Sequence, residues 1–215
     1  EETGDTPTLA TQQGNLGLLA LQRGDYVAAR TLLTQRLEAV LSLKASDDAA
    51  ETLSTLAEIE LASGKCDAAE AALKKVLALQ GSKRSVRAVR CLAGAYVLLA
   101  RVARERGQAH EASRRARQGL RAAEAANAPR EAAHARLQLS YIAKGEGERE
   151  DAQKHLFKAA KELEQLGDAL QSLVAKVALA GLVVDAGELA TARTIYAQAS
   201  HGFDAYKHPK AAIDA

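Results

Sequence analysis

Methionine and tryptophan are absent from the 215 residues, and aromatic side chains account for only 3% of them. A core without large rings has to be filled by smaller aliphatic side chains, and Ala, Leu and Val are abundant here. Only three prolines interrupt the chain, so long stretches are free to form helices. These shortages favour an all-α protein built from good helix formers.

Residues that carry chemistry are also scarce. The two cysteines, Cys66 and Cys91, have neither metal-binding nor redox spacing, so we expect two small buried hydrophobic residues and leave a disulfide open. The five histidines show no metal-binding spacing, and the motifs of metalloproteases, serine hydrolases and phosphate-binding loops are missing. We therefore expect no catalytic residue, no metal, no cofactor and no enzymatic function.

The chain also lacks a run of about 18 apolar residues, which a membrane-spanning helix would need. Its polar, acidic beginning, EETGDTPT, does not resemble a signal peptide. Without an initiator methionine, the chain is interpreted as a fragment or processed form, located in the cytoplasm, with the periplasm left open. Its abundance of Ala and Arg is typical of a GC-rich bacterium.

A periodic arrangement of glycines organises what is present. Leu stands eight residues before each of these glycines, and Ala stands five residues after each. We expect the glycine to adopt the left-handed conformation that ends a helix, and the small residues to let a second, antiparallel helix approach closely. Each unit is therefore predicted to be a helix hairpin. The glycines follow one another at intervals of 40, 43, 40 and 40 residues: Gly24, Gly64, Gly107, Gly147 and Gly187.

These hairpins resemble the tetratricopeptide repeat. The first copy carries its marks most clearly: Leu16-Gly17, Gly24-Asp25-Tyr26, Ala29 and Leu33. The resemblance extends over about residues 8–205, with a period of 40 rather than about 34 residues and without the closing proline, except at Pro129. The long period is similar to that of regulatory domains in large bacterial transcription activators. The resemblance implies an all-α, right-handed α-solenoid of five antiparallel helix pairs.

The whole chain is predicted to form one domain. Ser46-Asp47-Asp48 is expected to cap the helix that opens the second repeat. The predicted repeats span about 7–45, 46–82, 83–127, 128–167 and 168–206, and 207–215 is predicted to be a flexible tail.

Positive charge is concentrated in the third repeat. Residues 81–121 contain 11 basic and 2 acidic side chains, whereas the segments on either side are slightly acidic. Two plain interpretations stay open, a solvated helix surface and structural pairing with Glu51 or Glu58 of the second repeat. On the first helix of the third repeat, residues in steps of three or four form one stripe: Arg87, Arg90, Gly94, Val97, Arg101 and Arg104.

In tetratricopeptide repeats the first helix of each pair lines a concave groove, and the resemblance assigns the stripe to that groove. With the residues that it assigns from neighbouring repeats, the groove would be acidic at one side, cationic in the middle and apolar beyond. The carboxylate clamp of some relatives has no residue-by-residue match. The predicted partner-binding residues are Arg87, Arg90, Arg101, Arg104, His134, Tyr141, Lys144, Glu51 and Glu58.

The favoured function is an interaction module that binds a protein or peptide segment, expected to be acidic, within a larger bacterial regulator or scaffold. The alternative is a sensor that binds a small anionic ligand on Arg101, Arg104 and Lys144. Nucleic-acid binding is disfavoured because the flanking repeats are acidic and the stripe contains no aromatic residue. No membrane partner is expected.

The last predicted helix, at about 188–205, does not have the polar surface expected at the end of a solenoid. Leu189, Tyr196 and Phe203 share a face that we expect to pack partly on the preceding helix. We expect Ile195 and Tyr206 to remain exposed and this end to pair with a second copy or with a missing domain. The predicted contact residues are Ile195, Tyr196, Phe203 and Tyr206.

Overall fold

A computed structural model describes residues 6–80 and 85–207 of the chain, with side chains described up to residue 202. Within these ranges the structure is entirely α-helical, which confirms the predicted all-α fold, and none of the described helices is long and apolar enough to cross a membrane. In chain order the ten helices are α1 (Thr6–Gln22), α2 (Tyr26–Ser42), α3 (Ser46–Ala62), α4 (Cys66–Gln80), α5 (Val86–Glu105), α6 (Ala109–Ala125), α7 (Pro129–Gly145), α8 (Arg149–Gln165), α9 (Ala169–Asp185) and α10 (Leu189–Lys207).

The 40-residue period follows from the lengths of the helices and turns. Most helices contain 17 residues, and most turns between them contain three. One helix pair with its two turns therefore takes 40 residues. The single spacing of 43 residues spans α5, which has 20 residues instead of 17.

Each hairpin is closed by a glycine in the left-handed conformation, as predicted. Gly24 has a φ of +78°, and the N–H of Asp25 behind it donates to the carbonyl of Ala20 at 2.9 Å. This is the Schellman arrangement, which satisfies carbonyls at a helix end. The same turn joins consecutive pairs at three described junctions, where Lys44, Asn127 and Gly167 occupy the left-handed position. Because both kinds of turn reverse the chain, consecutive helices pack antiparallel.

Small residues let the two helices of each pair cross closely. The Ala five residues after each repeat glycine is fully or almost fully buried in all five repeats. A Cβ added at Gly17 of α1 would lie 2.9 Å from the side chain of Leu33 on α2. The equivalent residue in the other repeats is a buried Ala or Ser. Any larger side chain would push the two helices apart.

The core is a series of clusters, each shared by two consecutive helix pairs. Leu73 of α4 belongs to the same cluster as Val102 of α5. Leu156 of α8 belongs to one cluster with Leu137 of α7 and Leu182 of α9. The second helix of each pair thus packs on the first helix of its own pair and on that of the next. This arrangement brings first helices together, so that α3 contacts α5 and α5 contacts α7.

The predicted cap of the second repeat is wrong. The N-cap of α3 is Ala45, which makes no side-chain hydrogen bond to the helix. The first turn is instead held by the buried Gln80 of α4. Its Nε2 donates to the carbonyl of Ser46 at 3.0 Å and to Oδ1 of Asp47 at 2.9 Å. A tertiary contact therefore takes the place of the local cap.

Candidate peptide groove

The first helices α3, α5, α7 and α9 carry most of the predicted binding residues on one face, here called the groove face, at positions 3, 6, 10 and 13 before each repeat glycine. Arg87 and Arg90 extend this row towards the start of α5. Position 6 holds Glu58, Arg101 and Tyr141 on three adjacent helices. The positive charge of Arg101 acts on the carboxyl of Glu58 and on the phenol of Tyr141. These residues and Arg104 form a group that we call the central cluster.

Arg104 is held against an aromatic ring. Its guanidinium carbon lies 5.1 Å from the centre of the Tyr141 ring, within the range of a cation–π contact. Its Nη2 also contacts Oε1 of Glu105 at 2.8 Å. The buried Nε has no hydrogen-bond partner among the described residues. Arg104 is therefore held by Tyr141 and Glu105, with 33% of its side chain exposed.

Burial changes the acidity of two members of the central cluster. Surrounding protein atoms raise the pKa of Glu58 above the usual value for a carboxyl group, and Arg101 partly opposes this effect. The side chain of Glu58 is nevertheless open to solvent, so it lies deep in the groove face without being enclosed. Burial likewise raises the pKa of Tyr141, with Arg104 and Arg101 opposing. Tyr141 is therefore a neutral hydrogen-bonding group at neutral pH.

Arg101 has no fixed partner. It is half-buried, and it forms no ion pair or hydrogen bond with any residue that the structure describes. Its charge acts on Glu58, whose carboxyl is costly to ionise where it lies. A half-buried guanidinium without a partner can accept a carboxylate or phosphate from a ligand.

The other end of the stripe is occupied by ion pairs. Nε and Nη2 of Arg87 each donate to Glu51 at 3.0 Å, and Nη2 also donates to Asp48 at 2.8 Å. These hydrogen bonds raise the pKa of Arg87 above the usual value for a guanidinium group. Arg90 is 3.7 Å from Glu131 of α7. Structural pairing, one of the interpretations left open by the sequence, therefore applies to Arg87, Arg90 and Glu51.

The two remaining polar residues predicted for the groove differ in their surroundings. Nε2 of His134 lies 3.9 Å from Oδ2 of Asp168, which Arg130 approaches at 2.7 Å. Burial lowers the pKa of His134, with Asp168 opposing, so the ring is neutral at neutral pH. Lys144 is exposed near the end of α7 and has no ion pair within the described parts of the chain.

Beyond the central cluster the groove face becomes apolar. Val174, Val177 and Val184 of α9 are all partly exposed. Their positions correspond to those of His134, Leu137 and Lys144 in the preceding repeat. The order along the face, from acid through cation to aliphatic side chains, follows the predicted order.

A cleft of about 590 Å³ opens next to the Arg87 ion pairs. Sequence reasoning missed the contribution of the α6–α7 turn to this region, because Asn127 and Pro129 could be interpreted only as turn residues. The cleft is lined by Glu51, Ser54 and Thr55 of α3, by Val86, Arg90, Cys91 and Gly94 of α5, and by residues 126–131.

Metal and thiol chemistry find no support in the described residues. No group of three or more His, Cys, Asp or Glu side chains within them could hold a metal ion. Cys66 and Cys91 are both free thiols. Burial, assisted by the charges of Glu51 and Asp47, raises the pKa of Cys91 to about 11. Cys91 is therefore a protonated, weakly nucleophilic thiol at neutral pH.

The predicted contact surface on α10 is changed in one respect. Ile195, expected to be exposed, is half-buried, because it lies in a groove with Leu179 and Val183 of α9 and Phe157 of α8. Among the described side chains of α10, the exposed large apolar ones are Leu189 and Tyr196. The side chains of Phe203 and Tyr206 lie outside the described residues. Phe157 was missed because its position, ten residues after the repeat glycine, is polar or Ala in the other repeats.

Comparison with known proteins agrees with this architecture. The family model for the tetratricopeptide repeat matches residues 4–82. No curated protein sequence matches the chain.

Three solved structures are similar over most of the chain. BtubC from P. vanneervenii superposes with a TM-score of 0.72 at 16% identity, over 96% of this chain and 84% of that one. A tetratricopeptide repeat protein of Thermus thermophilus superposes with a TM-score of 0.64 at 25% identity, over 94% of this chain and 92% of that one. A Rap protein complexed with Competence and Sporulation Factor gives 0.75 at 15% identity, over 94% of this chain and 56% of its own.

The same helix pair recurs through the whole described chain, and its first copies match the family in sequence. The chain therefore shares the fold of tetratricopeptide repeat proteins, and its residues 4–82 match that family in sequence.

Proposed function

We propose that this chain binds a segment of a partner protein along the groove face, as the regulatory or scaffold part of a larger bacterial protein of the cytoplasm. The observation that carries the proposal is the half-buried Arg101, which lies without an ion pair among described residues between Glu58 and Tyr141. A solenoid of rigid helices offers an extended surface already shaped for such a segment. The similar Rap structure, solved with Competence and Sporulation Factor, lends support.

The chemistry of the face favours an acidic segment that also carries aliphatic side chains. Arg101 and Lys144 have no described ion-pair partner, and the side chain of Arg104 is partly exposed. A carboxylate of the segment would meet Arg101 and Arg104, and aliphatic side chains would lie on Val174 and Val177 of the next repeat. Charge would direct the approach of the segment, and apolar burial would add affinity.

Selection from a displayed peptide library, followed by mapping of the winning peptide, tests the proposal. Backbone amide shifts in the labelled protein should change on α5, α7 and α9 and remain unchanged on α6. Arg117→Gln, on the exposed face of α6, is a matched control that should bind like the parent. Selection of peptides without acidic residues, or shifts confined to the second helices, would contradict the proposal.

A small anionic ligand is the second candidate, favoured by the closeness of Arg101 and Arg104 around Tyr141. The two candidates differ in their need for the apolar surface. Val177→Ser should weaken binding of a peptide and leave binding of a small anion unchanged. Arg101→Gln should weaken both.

We also propose that α10 contacts a second copy of the chain or a neighbouring domain, through Ile195, Tyr196, Phe203 and Tyr206. The exposure of Leu189 and Tyr196 supports this proposal. Light scattering should show self-association that Phe203→Glu with Tyr206→Glu abolishes while the chain stays helical. A monomer at high concentration would leave only the neighbouring domain.

A further inference from the structure

One face of the first helix exposes a row of leucines. Leu9, Leu16 and Leu19 of α1 are 50%, 53% and 41% exposed. With Gln12 they lie 15, 12, 8 and 5 residues before Gly24, so they follow each other in steps of three or four along one side of the helix. The helix carries no charged residue between Thr6 and Gln22. We call these four residues the α1 end face.

The same four positions are covered in every later repeat. Each residue there is buried or half-buried. They are Ala49, Thr52, Leu56 and Ile59 on α3; Leu92, Ala95, Leu99 and Val102 on α5; Ala132, Ala135, Leu139 and Ile142 on α7; and Ser172, Ala175, Leu179 and Leu182 on α9.

The second helix of the preceding pair covers these positions. Leu33 of α2 belongs to one cluster with Ile59 of α3. Leu37 of α2 packs against the cluster that contains Ala49 of α3. Two junctions further along, Ala112 and Ala116 of α6 cluster with Leu139 and Ile142 of α7. The covering helix thus presents small or aliphatic residues five, nine and thirteen positions after its glycine.

We propose that the α1 end face binds an amphipathic helix with this pattern, packed on α1 as α2 packs on α3. The occupant is identified by the register of the exposed leucines, which repeats the register that α2 covers on α3. Because α1 is uncharged, the contact depends on apolar burial and not on charge.

A second copy of the chain is a poorer occupant. At position 13 the covering helices carry Leu37, Leu77, Leu120 or Ala160, whereas α10 carries an exposed Ser200. Two α1 end faces meeting each other would bury three leucines a side, far from the roughly 800 Å² per partner of a stable dimer. A helix of a partner protein that is also held at a second contact needs no such area.

A graft tests the proposal in the full chain. Residues 25–45, which comprise α2 and its turn, are copied in place of residues 1–5, so that the copied Ala45 precedes Thr6 as the natural one precedes Ser46. Docking should raise the unfolding midpoint by about 5 °C or more. The control graft carries Leu33→Ser and Leu37→Ser in the copy alone and should give no rise. Leu16→Glu in the recipient helix should cancel the rise from the parent graft.

Three results would overturn the proposal. One is an absent rise, and another is an equal rise from both grafts, since either means that α1 does not recognise the pattern. The third is a dimer of the ungrafted chain that Leu16→Glu dissociates, because the occupant is then a second copy. The rise should persist in 0.5 M salt (a concentration of about five times that at which exposed charges are screened beyond 10 Å), whereas binding at the groove face should weaken, so the two proposals fail independently.

Discussion

The two ends of α5 carry arginines of the same stripe in different states. Near the start of the helix, Arg87 is fixed by Glu51 and Asp48 of α3. Near its end, Arg101 has no ion-pair partner among described residues and faces Glu58, whose pKa is raised by burial. The difference shows that an arginine stripe is not one functional surface. Acidic partners make Arg87 structural, and the end that carries the unpaired Arg101 is the one at which we propose that a ligand binds.

Charge reversal at the unpaired end should have the largest effect. Arg101→Glu is expected to weaken binding of a selected acidic peptide by about 30-fold, because it replaces attraction by repulsion in a half-buried site. Fluorescence anisotropy measures the change, and the melting temperature should stay within about 2 °C of the parent. Arg117→Glu serves as the charge-matched control on α6. Equal losses for both variants would mean that only net charge matters.

Removal of the paired arginine should affect stability instead. Arg87→Gln is expected to lower the free energy of unfolding by about 0.5–1 kcal/mol, a small value because the pairs are partly exposed. Peptide affinity should change less than about twofold. Denaturant titration of Arg87→Gln, Glu51→Gln and the double variant measures the coupling. The comparison breaks down if Arg87→Gln weakens the peptide as strongly as Arg101→Gln does.

The carboxyl of Glu58 should oppose an acidic ligand. Glu58→Gln is expected to tighten peptide binding about threefold at pH 7, since it removes a negative charge beside Arg101. Because the pKa of Glu58 is raised by folding, the folded state holds the proton more tightly than the unfolded state. The contribution of Glu58 to stability therefore falls as the pH rises above the ordinary pKa of a glutamate, and it is recovered as the pH falls. As the pH is lowered from 7 to 5, the affinity for the peptide should rise more in the parent than in Glu58→Gln. Parallel pH profiles would exclude Glu58 from the binding surface.

The smallest expected effect concerns the ring beneath Arg104. Tyr141→Leu should weaken peptide binding about two- to threefold, because the cation–π contact that orients the guanidinium is lost. Tyr141→Phe keeps the ring, so its loss of affinity should be less than half of that in Tyr141→Leu. Isothermal titration of the three proteins decides the matter. A larger loss in Tyr141→Phe than in Tyr141→Leu would assign the role to the hydroxyl group.

The sequence by itself determined the repeat architecture, for a local reason. The glycine turns and the small residues at each crossing act within one unit of about 40 residues, so helix hairpins and their register could be predicted without a structure. The cap of α3 could not, because Gln80, more than 30 residues away, takes its place.

Only the tertiary structure decided which side chains are exposed and unpaired. Arg87 and Arg101 look alike in sequence, but only Arg87 has ion-pair partners among the described residues, and these come from a neighbouring repeat 36 or more residues away. Leu16 and Leu99 both stand eight residues before a repeat glycine, yet Leu16 is exposed and Leu99 is buried. Pairing and burial depend on what packs against a residue, and stacking of the repeats alone supplies that neighbour.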